Sequence, residues 1–216
     1  MPEPRDLDDL PYAPFLRPSS GPAGPGEVLD GVHLDGITIP EVDAAGTRFL
    51  EAALTGVTFD GGSLRGSAFR DAWLRGVRLV GTSLAESEWV DAELVATSLA
   101  GIEMFTARLR RVTFHGCKLN SVNLRTATLD DVRFVDCVLT DIDFGEAELR
   151  RVTFPGTRLG PVRFAKARMT DVDLSGARTL QLDDEITALR GATLSYGQLM
   201  ELAPMFAQAA GVRLRD

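Results

Sequence analysis

From Gly46 onward the chain keeps a beat of five residues. Written in fives it reads GTRFL, EAALT, GVTFD, GGSLR, GSAFR, DAWLR, GVRLV, and so on to DVDLS, which ends at Ser175. The fourth place of every block is large and apolar. Between Phe49 and Leu174 there are 26 such places, filled by 15 Leu, eight Phe, two Met and one Trp. At a hydrophobic content of 44%, chance would produce this run with a probability on the order of 10⁻⁹. The second place is restricted as well: it holds Ala, Val, Thr, Ser, Cys, Ile or Gly and never a charge. The other three places are polar or charged in most blocks.

A period of five fits neither common element. In an α-helix, 3.6 residues per turn would smear the large side chains around the cylinder. In a plain strand, an odd period sends every second block to the wrong face. The remaining solution is a short extended segment with one small and one large inward residue, followed by a corner. Glycine often opens the block (Gly46, Gly56, Gly61, Gly66, Gly76, Gly81), where a tight corner tolerates it best.

This pattern, small residue then a large apolar one two places on (A-D/N-L-x-x), resembles the pentapeptide-repeat family over about residues 31–178. The resemblance implies an all-β solenoid, a right-handed quadrilateral parallel β-helix with four blocks to a 20-residue coil. About seven coils are expected, stacked at about 4.8 Å into a rod roughly 34 Å long. Residues 20 apart then lie above one another. Phe49, Phe69 and Trp89 form one predicted ladder, and Phe114, Phe134 and Phe154 another. No insertion breaks the phase from 46 to 175, so no long loop is expected to project.

Such a rod has open sheet edges at both ends and needs caps. Residues 1–30 hold seven of the 11 prolines and read as an irregular N-terminal arm or cap. Leu7, Leu10, Tyr12, Phe15 and Leu16 are its anchors. Either a strap over the first coil or a partner-binding arm would suit this composition. The phase lapses at Thr179 and Asp184 and returns at Leu189 and Leu194, so 179–194 reads as a degenerate last coil. In 195–216, Ser195 and Gln198 form a capping box ahead of a helical cap. Leu199, Leu202, Met205 and Phe206 fall on one helix face. Pro204 should kink this helix or split it in two, and Gly211 should end it. The family resemblance adds a second role for this segment, a homodimer interface that includes Leu199, Leu202, Met205, Phe206 and Val212.

The sequence carries no catalytic or metal-binding constellation, and no cofactor is expected. His33 and His115 fall at outward places. Cys117 and Cys137, the only cysteines, fall 20 apart at the small inward place and read as packed hydrophobes. No apolar run approaches the roughly 18 residues of a membrane span. The acidic, proline-bearing start resembles neither a signal nor a transit peptide. A cytoplasmic protein is the default expectation.

The net charge of −8 argues against direct nucleic-acid binding. Residues 31–178 carry 20 acids against 18 bases. The column Glu51, Asp71, Asp91, Arg111, Asp131, Arg151, Asp171 is mainly acidic, and 79–107 has five acids and no base. The family resemblance implies a protein partner, with DNA gyrase a candidate, bound through imitation of duplex DNA. Glu51, Asp71, Glu86, Glu88, Asp91 and Glu93 would then act as phosphate mimics toward a basic groove. The alternative is a protein-interaction scaffold without mimicry. In that case Trp73, Val95 and Val135, apolar at outward places on one face, would mark the contact patch.

Overall fold

A computed structural model describes residues 3–213. The inward and outward places of the repeat lie where the beat of five puts them. Of the large fourth-place residues from Phe49 to Leu174, all but the half-buried Met169 are buried. They line a single apolar core that runs the length of a parallel β-solenoid of about eight turns, one more than expected. The extra turn lies at the ends. The strand Val28–Asp30 already pairs with Arg48–Leu50 in the 20-residue register, and Val172 pairs with Ala192 at the far end.

Four walls repeat down the rod, and each is named here by one inward residue. The Phe49 and Leu54 walls belong to one 13-stranded parallel sheet. Its strands Arg108–His115 and Thr128–Val135 run around the corner that joins them. The Phe59 wall is an eight-stranded sheet. The Leu64 wall is built of turns, each closed by a backbone bond such as Ser67 N–H to Leu64 O at 3.1 Å and Ala127 N–H to Leu124 O at 3.1 Å. The third residue of each turn (Gly66, Glu86, Thr106, Thr126, Glu146) has positive φ, the signature of a type II turn.

The corner explains a compositional bias. The first place of nearly every block takes a left-handed conformation, Pro161 being an exception, and 17 non-glycine residues adopt it with φ between 44° and 60°. This conformation disfavours most L-residues by roughly 1–2 kcal/mol, and aspartate least among the charged ones. Asp71, Asp91, Asp131, Asp136, Asp141 and Asp171 all stand there. The acidity of the corner column thus has a backbone cause.

Both predicted aromatic ladders form. Phe49, Phe69 and Trp89 stack with centroids 4.7 Å and 3.9 Å apart, and Phe114, Phe134 and Phe154 at 4.7 Å and 5.2 Å. Phe144 and Phe164 add a third stack at 5.1 Å. The polar residues at the small inward place are buried but satisfied. The Ser67 hydroxyl donates to Ala44 O and that of Thr157 to Phe134 O, in each case a carbonyl of the coil before. Cys117 and Cys137 are free, buried and stacked, with Cys117 N–H directed at Cys137 Sγ at 3.3 Å. Burial, with Cys137 beside it, holds the Cys117 thiol well above its ordinary pKa.

The ends depart from the expectations in two ways. The phase slips by one residue at Gly160: Leu159 pairs with Leu180, 21 residues on, and Val162 with Leu182, 20 on. Leu180 fills the inward place that Thr179 would have held. The C-terminal cap is one helix, Tyr196–Ala209, with Pro204 inside it, rather than two short helices. Pro204 is exposed. The carbonyl that its missing N–H leaves without a helical partner is that of Met200, itself an exposed residue. The capping box is present: Ser195 Oγ accepts from Gln198 N–H at 3.2 Å, and Gln198 Oε1 accepts from Ser195 N–H at 2.9 Å. Gln198 is itself buried and donates to Leu174 O at 2.8 Å, tying the helix to the last coil.

Candidate interaction surfaces

The six predicted acids do not form one free acidic strip. Glu86 pairs with Arg65 at 2.5 Å and Glu88 with Arg70 at 2.9 Å. Glu88 sits in register with Arg108, but its ion pair forms with Arg70. Glu148 does pair with Arg168. Asp91 accepts two bonds from Arg111, at 2.5 Å and 2.6 Å, and that guanidinium holds its carboxyl below the usual pKa. Glu93 is buried and offers no free carboxylate. Among the described residues, Glu51 and Asp71 have no ion-pair partner, and both are exposed.

Glu93 is buried because the N-terminal arm lies over it. Arg5 donates both its backbone N–H (2.9 Å) and its Nε (2.6 Å) to the Glu93 carboxylate. His115 Nε2 stands 3.6 Å from the same group. The neighbouring Asp6 pairs with Arg75. The Trp73 indole N–H donates to Arg5 O at 3.2 Å. Leu10 and Tyr12 then bury against Ala53 and Trp73, with Leu7, Ala13 and Leu16 around them. The arm therefore runs along the outside of the Leu54 wall rather than only over the first coil. It returns at Arg17–Pro18, which pair with Val32–His33, and Gly21 crosses the open core against Leu34, Ile37 and Ile39.

This placement corrects the expected contact patch. Trp73, Val95 and Val135 point outward on one face, as the phase requires, yet all three are buried. Trp73 is covered by the arm. Val95 and Val135 share a column with Arg75, His115 and Pro155 and lie between longer neighbours. His115, expected at a solvated place, is buried too, and that burial lowers its pKa against the opposing pull of Glu93 and Asp136. The Tyr12 phenol is pushed well above its ordinary pKa by burial, with Asp71, Glu51 and Glu93 adding to the effect and Arg5 opposing it. Arg5, Tyr12 and His115 were not legible as a group. The one signal was a tryptophan at an outward place.

At the other end, the residues expected to cap or dimerise divide. Leu202 is buried and Met205 half-buried against the last coil, whereas Leu199, Phe206 and Val212 are exposed, with Tyr196 and Met200 beside them. No helix among the described residues is long and apolar enough to cross a membrane.

Comparisons with known proteins follow the same lines. The family profile described as a pentapeptide repeat region matches residues 91–183. No curated protein matches the sequence. Among solved structures, the chain is similar to QnrB1, described as a plasmid-mediated fluoroquinolone resistance protein. One form of it is 17% identical with a TM-score of 0.38, covering 89% of this chain and 100% of that one. The full-length form is 13% identical with a TM-score of 0.38, covering 83% and 99%. The chain is also similar to HetL, a pentapeptide repeat protein involved in heterocyst differentiation regulation in the cyanobacterium Nostoc. That likeness is 19% identical with a TM-score of 0.30, covering 79% and 84%. The 20-residue register extends past the profile match on both sides, from Val28, which pairs with Arg48, to Thr193, which pairs with Asp173. The chain therefore carries a pentapeptide repeat region over residues 91–183.

Proposed function

We propose that this protein is a non-catalytic, protein-binding rod that works without imitating DNA. The observation that carries this reading is charge compensation. Four of the six candidate phosphate mimics are engaged within the protein: Glu86, Glu88 and Asp91 by arginines of the neighbouring coil, Glu93 by Arg5. Duplex DNA carries one charge per roughly 1.7 Å of axis without internal compensation. A checkered surface selects partners by local complementarity rather than by a long-range field. The test is affinity capture from source-cell extract with the wild-type chain and with a variant carrying Asp71→Lys and Asp91→Lys. The same partner retained by both supports binding without mimicry; salt-sensitive loss in the variant supports mimicry.

A second reading keeps DNA gyrase as partner, with a homodimer joined through the C-terminal segment extending the rod. Two features favour it: the unpaired Glu51 and Asp71, and the exposed apolar row Leu199, Met200, Phe206 and Val212. A supercoiling assay with purified gyrase decides it. Absence of inhibition, of protection from a gyrase poison and of binding would rule it out. Light scattering on a Leu199→Glu, Phe206→Glu variant tests the dimer separately.

A further inference from the structure

The outer face of the Leu54 wall has an odd composition for the outside of a solenoid. Reading down the coils it presents Ala53, Trp73, Glu93 and Val95, all of them buried. A solvated wall would leave an indole and an aliphatic patch in water, and an uncovered carboxylate beside them. This wall needs a cover. In the structure the cover is the chain's own residues 5–12, and the way they are held is informative.

Between Arg5 and Leu16 the arm pairs no strand with the wall. Its backbone bonds are local: Asp9 N–H to Asp6 O, Leu10 N–H to Leu7 O, Ala13 N–H to Leu10 O, Phe15 N–H to Tyr12 O. It forms two single 3₁₀ turns, Leu7–Asp9 and Ala13–Phe15. Its grip on the wall consists of the Arg5 fork on Glu93, the Asp6–Arg75 pair, one indole bond and the burial of Leu10 and Tyr12. It is joined through the Ala13–Phe15 turn to Arg17–Pro18, the point at which the chain is pinned to Val32–His33. Every wall-side contact is made by a side chain that the coil holds rigidly. A different extended segment with the same side chains would find the same partners.

The groove also outruns its occupant. Beyond the Arg5 site the same face continues through Thr113, His115, Val135, Thr153 and Pro155. Val135, Thr153 and Pro155 line an open cleft with Arg133, Arg151, Asp131 and Asp171, the arginines being paired with Asp131 and Asp130. An incoming segment therefore has a place to land before the arm leaves.

We propose that the outer face of the Leu54 wall is a docking groove for an extended segment of a partner protein, and that residues 5–12 occupy it in the free protein. This rests on the protein-binding reading above. The groove defines the segment's chemistry. It needs an arginine for Glu93, an adjacent carboxylate for Arg75, and two apolar or aromatic side chains five and seven places on for Ala53 and Trp73. Binding proceeds by exchange, the partner replacing the arm contact for contact.

The test uses the full chain and a fluorescent peptide with the sequence of residues 3–18 as probe. Anisotropy is compared for the wild type and for an Arg5→Ala, Asp6→Ala variant, whose arm has lost its side-chain ion pairs with Glu93 and Arg75 while the wall is untouched. The variant should bind the peptide about tenfold more tightly than the wild type, and a further Glu93→Gln change should weaken it by about tenfold. No binding to a variant that still melts cooperatively overturns the proposal. So does a variant that becomes a dimer by light scattering, since the occupant is then a second copy's arm. Should the variant fail to fold, hydrogen exchange on the wild type decides: amides of 5–12 should exchange far faster than those of Trp73–Arg75, and equal protection overturns the proposal. If the peptide fails while the capture experiment still retains a partner, the groove is excluded and the protein-binding reading stands. Loss of both removes both.

Discussion

The Phe49 and Leu54 walls are adjacent strips of one sheet with the same interior, yet their outer faces differ in kind. Inside, each carries an aromatic stack and a column of aliphatic residues. Outside, the Phe49 wall is a checkerboard in which Glu88, Asp130 and Glu148 meet Arg70, Arg151 and Arg168. The Leu54 wall presents Ala53, Trp73 and Glu93 beneath the arm. The repeat constrains what points in and leaves the outside free. The inward pattern is thus shared by all four walls, whereas the covering arm belongs to one.

The sharpest way to break the comparison is to remove a large side chain on each side of the sheet. Phe134→Ala, in the middle of a three-ring stack, should destabilise the protein by about 3–5 kcal/mol, read as a lower urea midpoint. Trp73→Ala, equally buried but outside, should cost less, about 1–3 kcal/mol, because the arm can settle or detach without opening the coil. Equal losses would mean that the arm is part of the cooperative core.

A smaller effect separates backbone from side chain at the corner of the Leu54 wall. Gly76 and Ala96 occupy the same corner one coil apart, with φ of 63° and 50°. A Cβ on Gly76 would meet nothing within 4 Å, so Gly76→Ala should cost about 1–2 kcal/mol from conformation alone. Ala96→Gly should be neutral or mildly stabilising. Chemical denaturation of the two variants checks the pair, and a penalty of the same sign in both would refute the argument.

On the charged wall the expected effect is smaller still. Asp91→Asn removes the Arg111 pair, which is partly exposed and screened by solvent, and should cost at most about 1 kcal/mol, shrinking further in high salt. The smallest effect is that of pH on the covered wall. Burial lowers the His115 pKa from its ordinary 6.5, so the unfolded chain takes up the proton first and stability falls as pH drops below that value. Glu93 opposes the shift. His115→Asn should flatten the stability difference between about pH 7.5 and about pH 5.5; an unchanged slope would place the titration elsewhere.

How far the sequence could be read follows from the same contrast. The beat of five makes Phe49 or Leu94 predictable because each obeys a rule applied in every coil. The arm obeys none. Arg5 meets Glu93 across 88 positions, and no spacing within the chain announces that meeting. Trp73 was legible as outward, but its cover lay in a segment without periodicity. The acids at 71 and 91 were legible as a column, and their cause was not, since a preference for a left-handed corner leaves the same mark as a preference for a basic partner. The slip at Gly160 was visible only as a lapse at Thr179, and Leu180 repairs it in space.

The arm, finally, is a gauge of coil number. Its reach from Arg17–Pro18, pinned to Val32–His33, to Arg5 is fixed, while the depth of Glu93 grows by about 4.8 Å for every coil placed above it. A duplication or loss of 20 residues below Glu93 would lengthen or shorten the rod without consequence for the clasp. The same event between Leu34 and Glu93 would throw the latch out of alignment. The upper coils are therefore locked in number by a tether that shares none of their symmetry, and the lower ones are free to vary.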